Sequence, residues 1–290
     1  MGEDSLVFLP REKWPELKNI FKLDWPRCIS AYNMLESQQQ WSGNGIDYGF
    51  KVYCPFGVLE NGMVAINPKD KLYEIVIQCP NDDTSELEDA LRQTKRIDWN
   101  RVVVIPFTPR HVIECIEKII RDMGKEMLLY RGEPFYMDEM RESFQDISLP
   151  SNITFGYLTV DHVALVESKW PHRYKNAEWY FELLINAQSG YGLFKDKELV
   201  AWVFHNDAGN MTHLYTMENH RRQGYAELLM KCMFSKLLIE NRSVVCYCVK
   251  GNENAALLYK KMGMKTFSDI AWCVIKDKNT PVDVFVSVDS

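Results

Sequence analysis

A basic turn in the C-terminal half holds the residues most able to do chemistry, Arg221-Arg222-Gln223-Gly224-Tyr225-Ala226. A strand-like run, residues 214–216, precedes this turn, and an amphipathic segment begins at Tyr225. The first N–H groups of a helix have no intrahelical partners and carry partial positive charge, so a diphosphate can bind there if no side chain blocks it. Gly224 and Ala226 are small and keep that approach open. The sequence therefore predicts an anion-binding turn between a strand and a helix.

A second motif follows the next strand-like run, residues 243–249, and reads Asn252-Glu253-Asn254-Ala255-Ala256-Leu257-Leu258-Tyr259. Asn252 stands where the helix would begin, and asparagine at that place caps a helix. The phenol of Tyr259 has an unperturbed pKa of about 10 and could act as a proton donor. Packing of Tyr259 on the apolar face of the same helix is the alternative.

Together the two motifs resemble the GCN5-related N-acetyltransferase (GNAT) superfamily. Its acyl-CoA signature, Gln/Arg-x-x-Gly-x-Gly/Ala, matches Arg221-x-x-Gly224-x-Ala226. Its second motif, Asn-x-x-Ala-x-x-Leu-Tyr-x-x-x-Gly-Phe, is similar to the segment from Asn252, with Met264 in place of Phe. The resemblance covers residues 153–275, and Val200-Ala201-Trp202 and Asp207-Ala208-Gly209 resemble the glycine N-acyltransferase-like branch. It implies a mixed α/β fold with a mostly antiparallel sheet flanked by helices.

The resemblance also implies that acetyl-CoA or another acyl-CoA is the co-substrate, with no metal. The backbone N–H and C=O groups of a strand would bind the pantetheine as they would bind an added strand. The turn would hold the diphosphate. The cofactor-binding residues would be Leu214, Tyr215, Thr216, Met217, Arg221, Arg222, Gln223, Gly224, Tyr225, Ala226, Asn252 and Tyr259. Tyr259 would also be the general acid.

The general base is not evident from the sequence. The glycine N-acyltransferase-like branch has a catalytic Glu at the position that aligns with Asn210, and an amide cannot take a proton from an ammonium. The base then lies elsewhere, or water carries the proton. His205 and His213 lie on the two central strands, and an imidazole with a pKa near 6.5 could act through a water. Packing in the core or at the surface is the alternative for each, and Glu218 falls in a solvated turn.

The acceptor pocket is expected near Trp170-Pro171-His172-Arg173-Tyr174, between the first two helices of the C-terminal half. Members of the superfamily shape their acceptor pocket with this loop. Arg173 could pair with an acceptor carboxylate such as that of glycine. Trp170, His172, Arg173 and Asn210 are therefore the candidate substrate residues, although Trp170 could instead serve only to pin the loop.

The composition of the chain limits which partners it can bind and where it is expected to be located. A net charge of −6 argues against nucleic acid, which is bound through a basic face. The eight cysteines lack the regular spacing of a disulfide framework, which indicates a reduced, intracellular protein. Cys246-x-Cys248 lies within an alternating strand and is expected to pack in the core. No apolar run is long enough to span a membrane, and no clear presequence is present, so a cytoplasmic location is expected, with a mitochondrial one left open.

The organisation along the chain favours two halves. Apolar residues from Trp14 to Phe21 recur at helical spacing, so a helix is predicted over residues 7–37. A charged, proline-containing segment, residues 133–150, indicates a linker. We expect a degenerate acyltransferase-like domain at residues 1–148 and an acyl-CoA-binding GNAT domain at residues 149–290.

The function expected from these observations is an acyl-CoA-dependent N-acyltransferase in which a small amine, such as a glycine-like amino acid, attacks the thioester directly. Two alternatives stay open. One is a CoA-binding module that has lost turnover, because Asn210 replaces the expected Glu. The other is an acetyltransferase of protein N-termini or arylalkylamines, which differs only in its acceptor.

Overall fold

A computed structural model describes residues 3–69, 72–139, 144–171 and 176–281. Contacts divide this part of the chain into two units, residues 3–134 with 267–281, and residues 135–266. These units are defined by contacts alone, so the domain division predicted between residues 148 and 149 stays a prediction.

Thirteen strands and eight α-helices form within the described residues. The strands are β1 (Leu6–Leu9), β2 (Lys51–Pro55), β3 (Met63–Lys69), β4 (Leu72–Gln78), β5 (Val103–Pro109), β6 (Glu126–Met137), β7 (Ile153–Tyr157), β8 (Gly190–Lys195), β9 (Glu198–His205), β10 (Met211–Thr216), β11 (Val244–Val249), β12 (Lys265–Thr266) and β13 (Ile270–Lys276). The helices are α1 (Trp14–Phe21), α2 (Ile29–Gly43), α3 (Ser85–Gln93), α4 (Arg110–Asp122), α5 (Val163–Ser168), α6 (Glu178–Asn186), α7 (Tyr225–Ile239) and α8 (Glu253–Lys261).

The sheet of the first unit has the strand order β1-β2-β3-β4-β5-β13-β6. Strands β4 and β5 are parallel, and helix α3 connects them, as a parallel pair requires. Strand β13 lies between β5 and β6 and is antiparallel to both. The apolar face of α4, including Ile113, Ile116 and Ile120, packs in the same core as Ile105 of β5.

The helix predicted over residues 7–37 is wrong. Residues Leu6–Leu9 are instead strand β1, and two helices, α1 and α2, follow it. The strand forms because β2 offers it an antiparallel partner, with Leu6 opposite Pro55 and Leu9 opposite Val52. A partner so distant in the sequence overrides the local helical spacing.

The sheet of the second unit runs in the order β11-β10-β9-β8-β7. Strands β7 to β10 are an antiparallel meander. The β8–β9 hairpin closes through Asp196 and Lys197, which both have positive φ, as a two-residue turn that matches strand twist requires. Strands β10 and β11 are parallel, so α7 crosses between them.

Helix α7 covers this sheet because its apolar side chains recur at helical spacing. Leu229, Met233 and Leu237 of α7 pack with Val203 of β9 and Met211 of β10 in one buried cluster. The predicted fold class, a mixed α/β structure with a mostly antiparallel sheet flanked by helices, is confirmed. None of the helices in the described residues combines the length and apolar character that a bilayer crossing requires.

Candidate functional site

The candidate site begins where β10 and β11 stop pairing. Met211 lies opposite Cys246, and within the described residues the parallel ladder has this one pair. On its other side β10 pairs with β9, with a shift in register between Thr212 and Tyr215. His213 lies within this shift and has φ 55°, which marks a bulge. On the side of β10 that faces β11, residues 214–216 therefore have no strand partner among the described residues.

The turn after β10 leads directly to the start of α7. Its N-cap is Gly224, whose φ of 84° lies in the left-handed region that glycine adopts readily. No side chain caps this helix end. A Cβ atom added to Gly224 would have no heavy atom within 4 Å, so the space beside Gly224 is open. Helix α7 begins at Tyr225, as predicted.

The two arginines of the turn have different surroundings. The Arg221 Nε donates a hydrogen bond to the Thr216 carbonyl oxygen at 3.2 Å, and its guanidinium lies 5.3 Å from the ring centre of Tyr215. Arg221 is thus bound to the strand that precedes it. Arg222 is exposed and makes no ion pair with any residue of the described ranges, which leaves its charge available to an anion.

Unsatisfied polar atoms gather beside this strand and turn. Within the described residues, four side chains have buried nitrogen or oxygen atoms without a hydrogen-bond partner: Trp99, Asn210, Thr216 and His220. Three of the four lie in the segment that contains β10 and the turn. Buried polar groups in native proteins are nearly always paired, so such a concentration indicates a missing bonding partner. These unpartnered groups and the uncapped start of α7 are compatible with an anionic ligand that also carries amide groups.

The second motif forms helix α8, and Asn252 is confirmed as its N-cap. The Asn252 Oδ1 accepts a hydrogen bond from the Ala255 backbone N–H at 3.2 Å. Tyr259 lies on the buried side of this helix, 6% exposed, with its ring centre 5.3 Å from that of Phe135. Burial, and next the electrostatic influence of the Cys246 thiol, raise the pKa of Tyr259 well above its usual value. These contacts are those of a core residue, and the role of Tyr259 as an acid stays a prediction.

His205 is buried at the end of β9. Its Nδ1 lies 3.4 Å from a guanidinium nitrogen of Arg242. Burial, and next the charge of Arg242, lower the pKa of His205 well below its usual value. The imidazole is therefore neutral at neutral pH and a weak proton acceptor.

His213 lies among aromatic rings from three elements. Its ring centre is 4.9 Å from that of Trp170, 5.1 Å from Phe181 and 5.8 Å from Phe204. The structure thus brings together Trp170, predicted for the acceptor, and His213, predicted for proton transfer. His172 and Arg173, also predicted for the acceptor, lie outside the described residues.

Glu218 lies in a short 3-10 helix, Glu218–His220, directly after β10. It accepts hydrogen bonds from the Tyr215 hydroxyl and from the Lys169 Nζ, the latter at 3.2 Å. The Tyr215 hydrogen bond, with smaller contributions that include Lys169, lowers the pKa of Glu218 to about 2. A carboxylate of such low pKa is a poor general base.

A buried carboxylate close to this region was not identified from the sequence. The Tyr180 hydroxyl donates to the Asp207 Oδ1 at 2.6 Å, and Asp207 is fully buried. The Tyr180 ring centre is 6.3 Å from that of His213. In the sequence, Asp207 was noted only as part of the motif Asp207-Ala208-Gly209, and its carboxylate was given no role. The position of Asp207 soon after the apolar strand β9 could have indicated its role. A carboxylate placed there is buried and needs a hydrogen-bond donor.

Comparisons with known proteins bear on the fold of the chain. The family model described as FR47-like protein matches residues 190–273, less than half of the chain. Among solved structures, an X-ray structure of a Drosophila protein is similar with a TM-score of 0.81 at 19% identity, over 94% of this chain and 99% of that chain. No curated protein sequence matches the chain.

Two further structures carry descriptions of their class. A tandem GNAT protein from the clavulanic acid biosynthesis pathway has a TM-score of 0.54 at 11% identity, with 93% of this chain and 98% of that chain covered. A GCN5-related N-acetyltransferase from Sphaerobacter thermophilus has a TM-score of 0.53 at 11% identity, with 96% and 98% covered. The chain therefore has the GNAT fold, and the coverage by the tandem protein is consistent with two GNAT-like halves.

Proposed function

We propose that this protein is an acyl-CoA-dependent N-acyltransferase whose active half is the second unit. The observation that carries the proposal is the arrangement at the end of β10. A strand whose parallel ladder ends at Met211 leads into an uncapped helix start at Gly224, beside which the space is open. Exposed strand groups recognise an amide-rich chain such as pantetheine, and the helix start recognises a diphosphate.

Different residues of the site would bind different parts of the acyl-CoA. Residues 214–217 would bind the pantetheine through their backbone, and one N–H of this stretch would stabilise the oxyanion. Backbone N–H groups of residues 222–226 would bind the diphosphate together with the Arg222 side chain. Asn252 begins the helix that positions Tyr259. Acyl-CoA supplies the activated acyl group.

The reaction needs no covalent enzyme intermediate. The amine nitrogen forms a bond to the thioester carbonyl carbon and the C–S bond breaks, giving an amide and CoA. The proton that the nitrogen loses balances the one that the thiolate gains. Tyr259 is the proposed donor to the thiolate, and His213 is the proposed acceptor through a water, since His205 has a strongly lowered pKa.

The acceptor is proposed to be a small amine that binds near Trp170, Asn210, His172 and Arg173. A glycine-like amino acid is the first candidate, following the resemblance to the glycine N-acyltransferase-like branch. The aromatic rings around His213 also support an arylalkylamine as the acceptor.

The proposal is tested in two steps. Calorimetry with CoA measures binding, and release of free thiol from acetyl-CoA and longer acyl-CoAs measures transfer. The amine panel holds glycine, other amino acids, an arylalkylamine and a peptide with a free N-terminus. We expect CoA binding and amine-dependent thiol release, and absence of CoA binding would refute the function.

A CoA-binding module without turnover is the second candidate. Its support is Asn210, whose side-chain amide is buried and without a hydrogen-bond partner among the described residues, in place of a carboxylate. CoA binding with no thiol release across the whole panel would favour this candidate over the enzyme.

A further inference from the structure

A cavity of about 550 Å³ lies in the first unit, to which the proposed function assigns no site. Four separate segments of this unit line it: the connection between α1 and α2, the turn after β4, the start of α4 and the residues before β13. The volume lies in the range of small-molecule sites in proteins, about 300–1,000 Å³. The cavity is therefore large enough for a small organic molecule.

Two hydrogen-bond acceptors belong to the lining of this cavity. The His111 Nε2 donates to the Cys79 carbonyl oxygen at 3.0 Å, because a carbonyl can only accept. Burial lowers the pKa of His111, so its ring is neutral at neutral pH and its Nδ1 keeps a lone pair. The Asp82 Oδ1 accepts from Arg27 at 2.6 Å. The Asp82 Oδ2 and the His111 Nδ1 make no hydrogen bond within the described residues, so both can accept from an ammonium group.

The start of α4 offers the opposite charge to the same cavity. Its N-cap is Pro109, and no side chain caps its first N–H groups. Arg110, the first residue of the helix, lines the cavity and is largely exposed, with its Nε donating to Glu114 at 2.9 Å. Backbone N–H groups at a helix start and a guanidinium both bind carboxylates. The cavity therefore carries groups for an anion as well as groups for a cation.

A ligand with a single charge would use only half of these groups. The lining holds three carboxylates, Asp24, Asp82 and Glu114, and two guanidinium groups, Arg27 and Arg110. A simple anion would be repelled by the carboxylates, and a simple amine would be repelled by the guanidinium groups. An amino acid suits both sets because it carries both charges.

Two aromatic residues complete the lining. Trp25 and Phe267 are both half-buried and come from segments far apart in the sequence. Aromatic walls favour an apolar or aromatic side chain on the ligand. We propose that this cavity binds an apolar α-amino acid as its zwitterion. The carboxylate lies at the start of α4, the ammonium group at Asp82 and His111, and the side chain against the two aromatic rings.

A ligand-observed NMR titration with L-phenylalanine as the probe tests this site. Two analogues each lack one charge: phenylalanine amide has no carboxylate, and N-acetylphenylalanine has no ammonium group. We expect phenylalanine to bind with a Kd on the order of 1 mM or lower, and each analogue to bind about tenfold more weakly. Glycine should also bind about tenfold more weakly, because it has no side chain to contact the aromatic rings. CoA is left out, so the result does not depend on the proposed acyl transfer.

Two variants assign each charge of the probe to its partner. Arg110→Gln should weaken phenylalanine binding about fivefold and leave the affinity for phenylalanine amide unchanged. Asp82→Asn should weaken phenylalanine binding about as much and should not weaken that of N-acetylphenylalanine. Both side chains are mostly exposed, so neither substitution should disturb folding. Lys118→Gln is the matched control, because it removes another exposed cation of α4 that pairs with Glu88 at 3.5 Å and does not line the cavity.

Selective binding of phenylalanine that both cavity variants weaken, and that Lys118→Gln leaves unchanged, would support the site. No detectable binding up to about 10 mM phenylalanine overturns it. Equal affinity for phenylalanine and either analogue also overturns it, because one charge of the amino acid would then make no contact. Phenylalanine affinity that is unchanged in Arg110→Gln or in Asp82→Asn has the same consequence, since the amino acid would then bind elsewhere or in another way.

Discussion

The phenol of Tyr259 and the thiol of Cys246 lie in one buried cluster of the second unit. Cys246 is also the residue that pairs with Met211, where the ladder between β10 and β11 ends. The Tyr259 ring therefore belongs to the same buried cluster as the start of the proposed pantetheine groove. The Tyr259 hydroxyl is protonated at neutral pH, which is the form that an acid needs, although burial raises its pKa and so makes it a weaker acid.

Tyr259→Phe should slow turnover about tenfold to hundredfold and change CoA affinity less than about twofold, because it removes the proton donor and keeps the ring. Steady-state kinetics with acetyl-CoA and calorimetry with CoA measure the two effects. Tyr191→Phe is the matched control, since Tyr191 is another buried tyrosine of the same unit with a raised pKa. Unchanged turnover in Tyr259→Phe would remove this residue from the mechanism.

Gly224→Ala should weaken CoA binding tenfold or more. Its φ of 84° disfavours any side chain, and the added Cβ would project into the space proposed for the diphosphate. The matched control is Gly124→Ala in the first unit, where φ is 69° and a Cβ would likewise have nothing within 4 Å. Both variants share the backbone strain, of about 1 kcal/mol. Equal CoA affinity in both would show that the turn does not bind the diphosphate.

Arg222→Gln should weaken CoA binding about fivefold at low ionic strength, and the difference from the wild type should shrink at high salt, because the interaction is an exposed charge pair. Calorimetry at two salt concentrations measures this. Arg110→Gln, which removes an exposed arginine of the first unit, should have no effect on CoA affinity. A salt-independent loss in Arg222→Gln would indicate a folding defect instead of a lost phosphate contact.

His205 should make stability depend on pH. Its pKa is lowered in the folded protein, so between that pKa and about 6.5 the unfolded chain binds more protons. The free energy of unfolding should thus fall as the pH is lowered from 7 to 5. In urea unfolding of His205→Asn, the slope of the free energy of unfolding against pH should be smaller than in the wild type. His111 in the first unit also has a lowered pKa, so the variant should keep part of the slope. An identical slope in both proteins would contradict this.

The parts of the site that depend on local sequence could be predicted. Gly224, the start of α7 at Tyr225 and the cap at Asn252 are set by residue types within one turn of a helix, so the sequence contains the whole signal. The aromatic surroundings of His213 and the pairing of Tyr180 with Asp207 could not be predicted, because their partners come from separate elements. The strand β1 escaped prediction for the same reason.

The position of strand β13 (Ile270–Lys276) affects how the first unit folds while the chain is being synthesised. It lies between β5 and β6 of the first unit, although residues 135–266 of the second unit are made before it. While the ribosome is still translating the second unit, β5 and β6 therefore lack the strand that joins them, and apolar side chains such as Ile105 stay partly uncovered. The first half of the chain to emerge must wait for the last described strand before its sheet is complete.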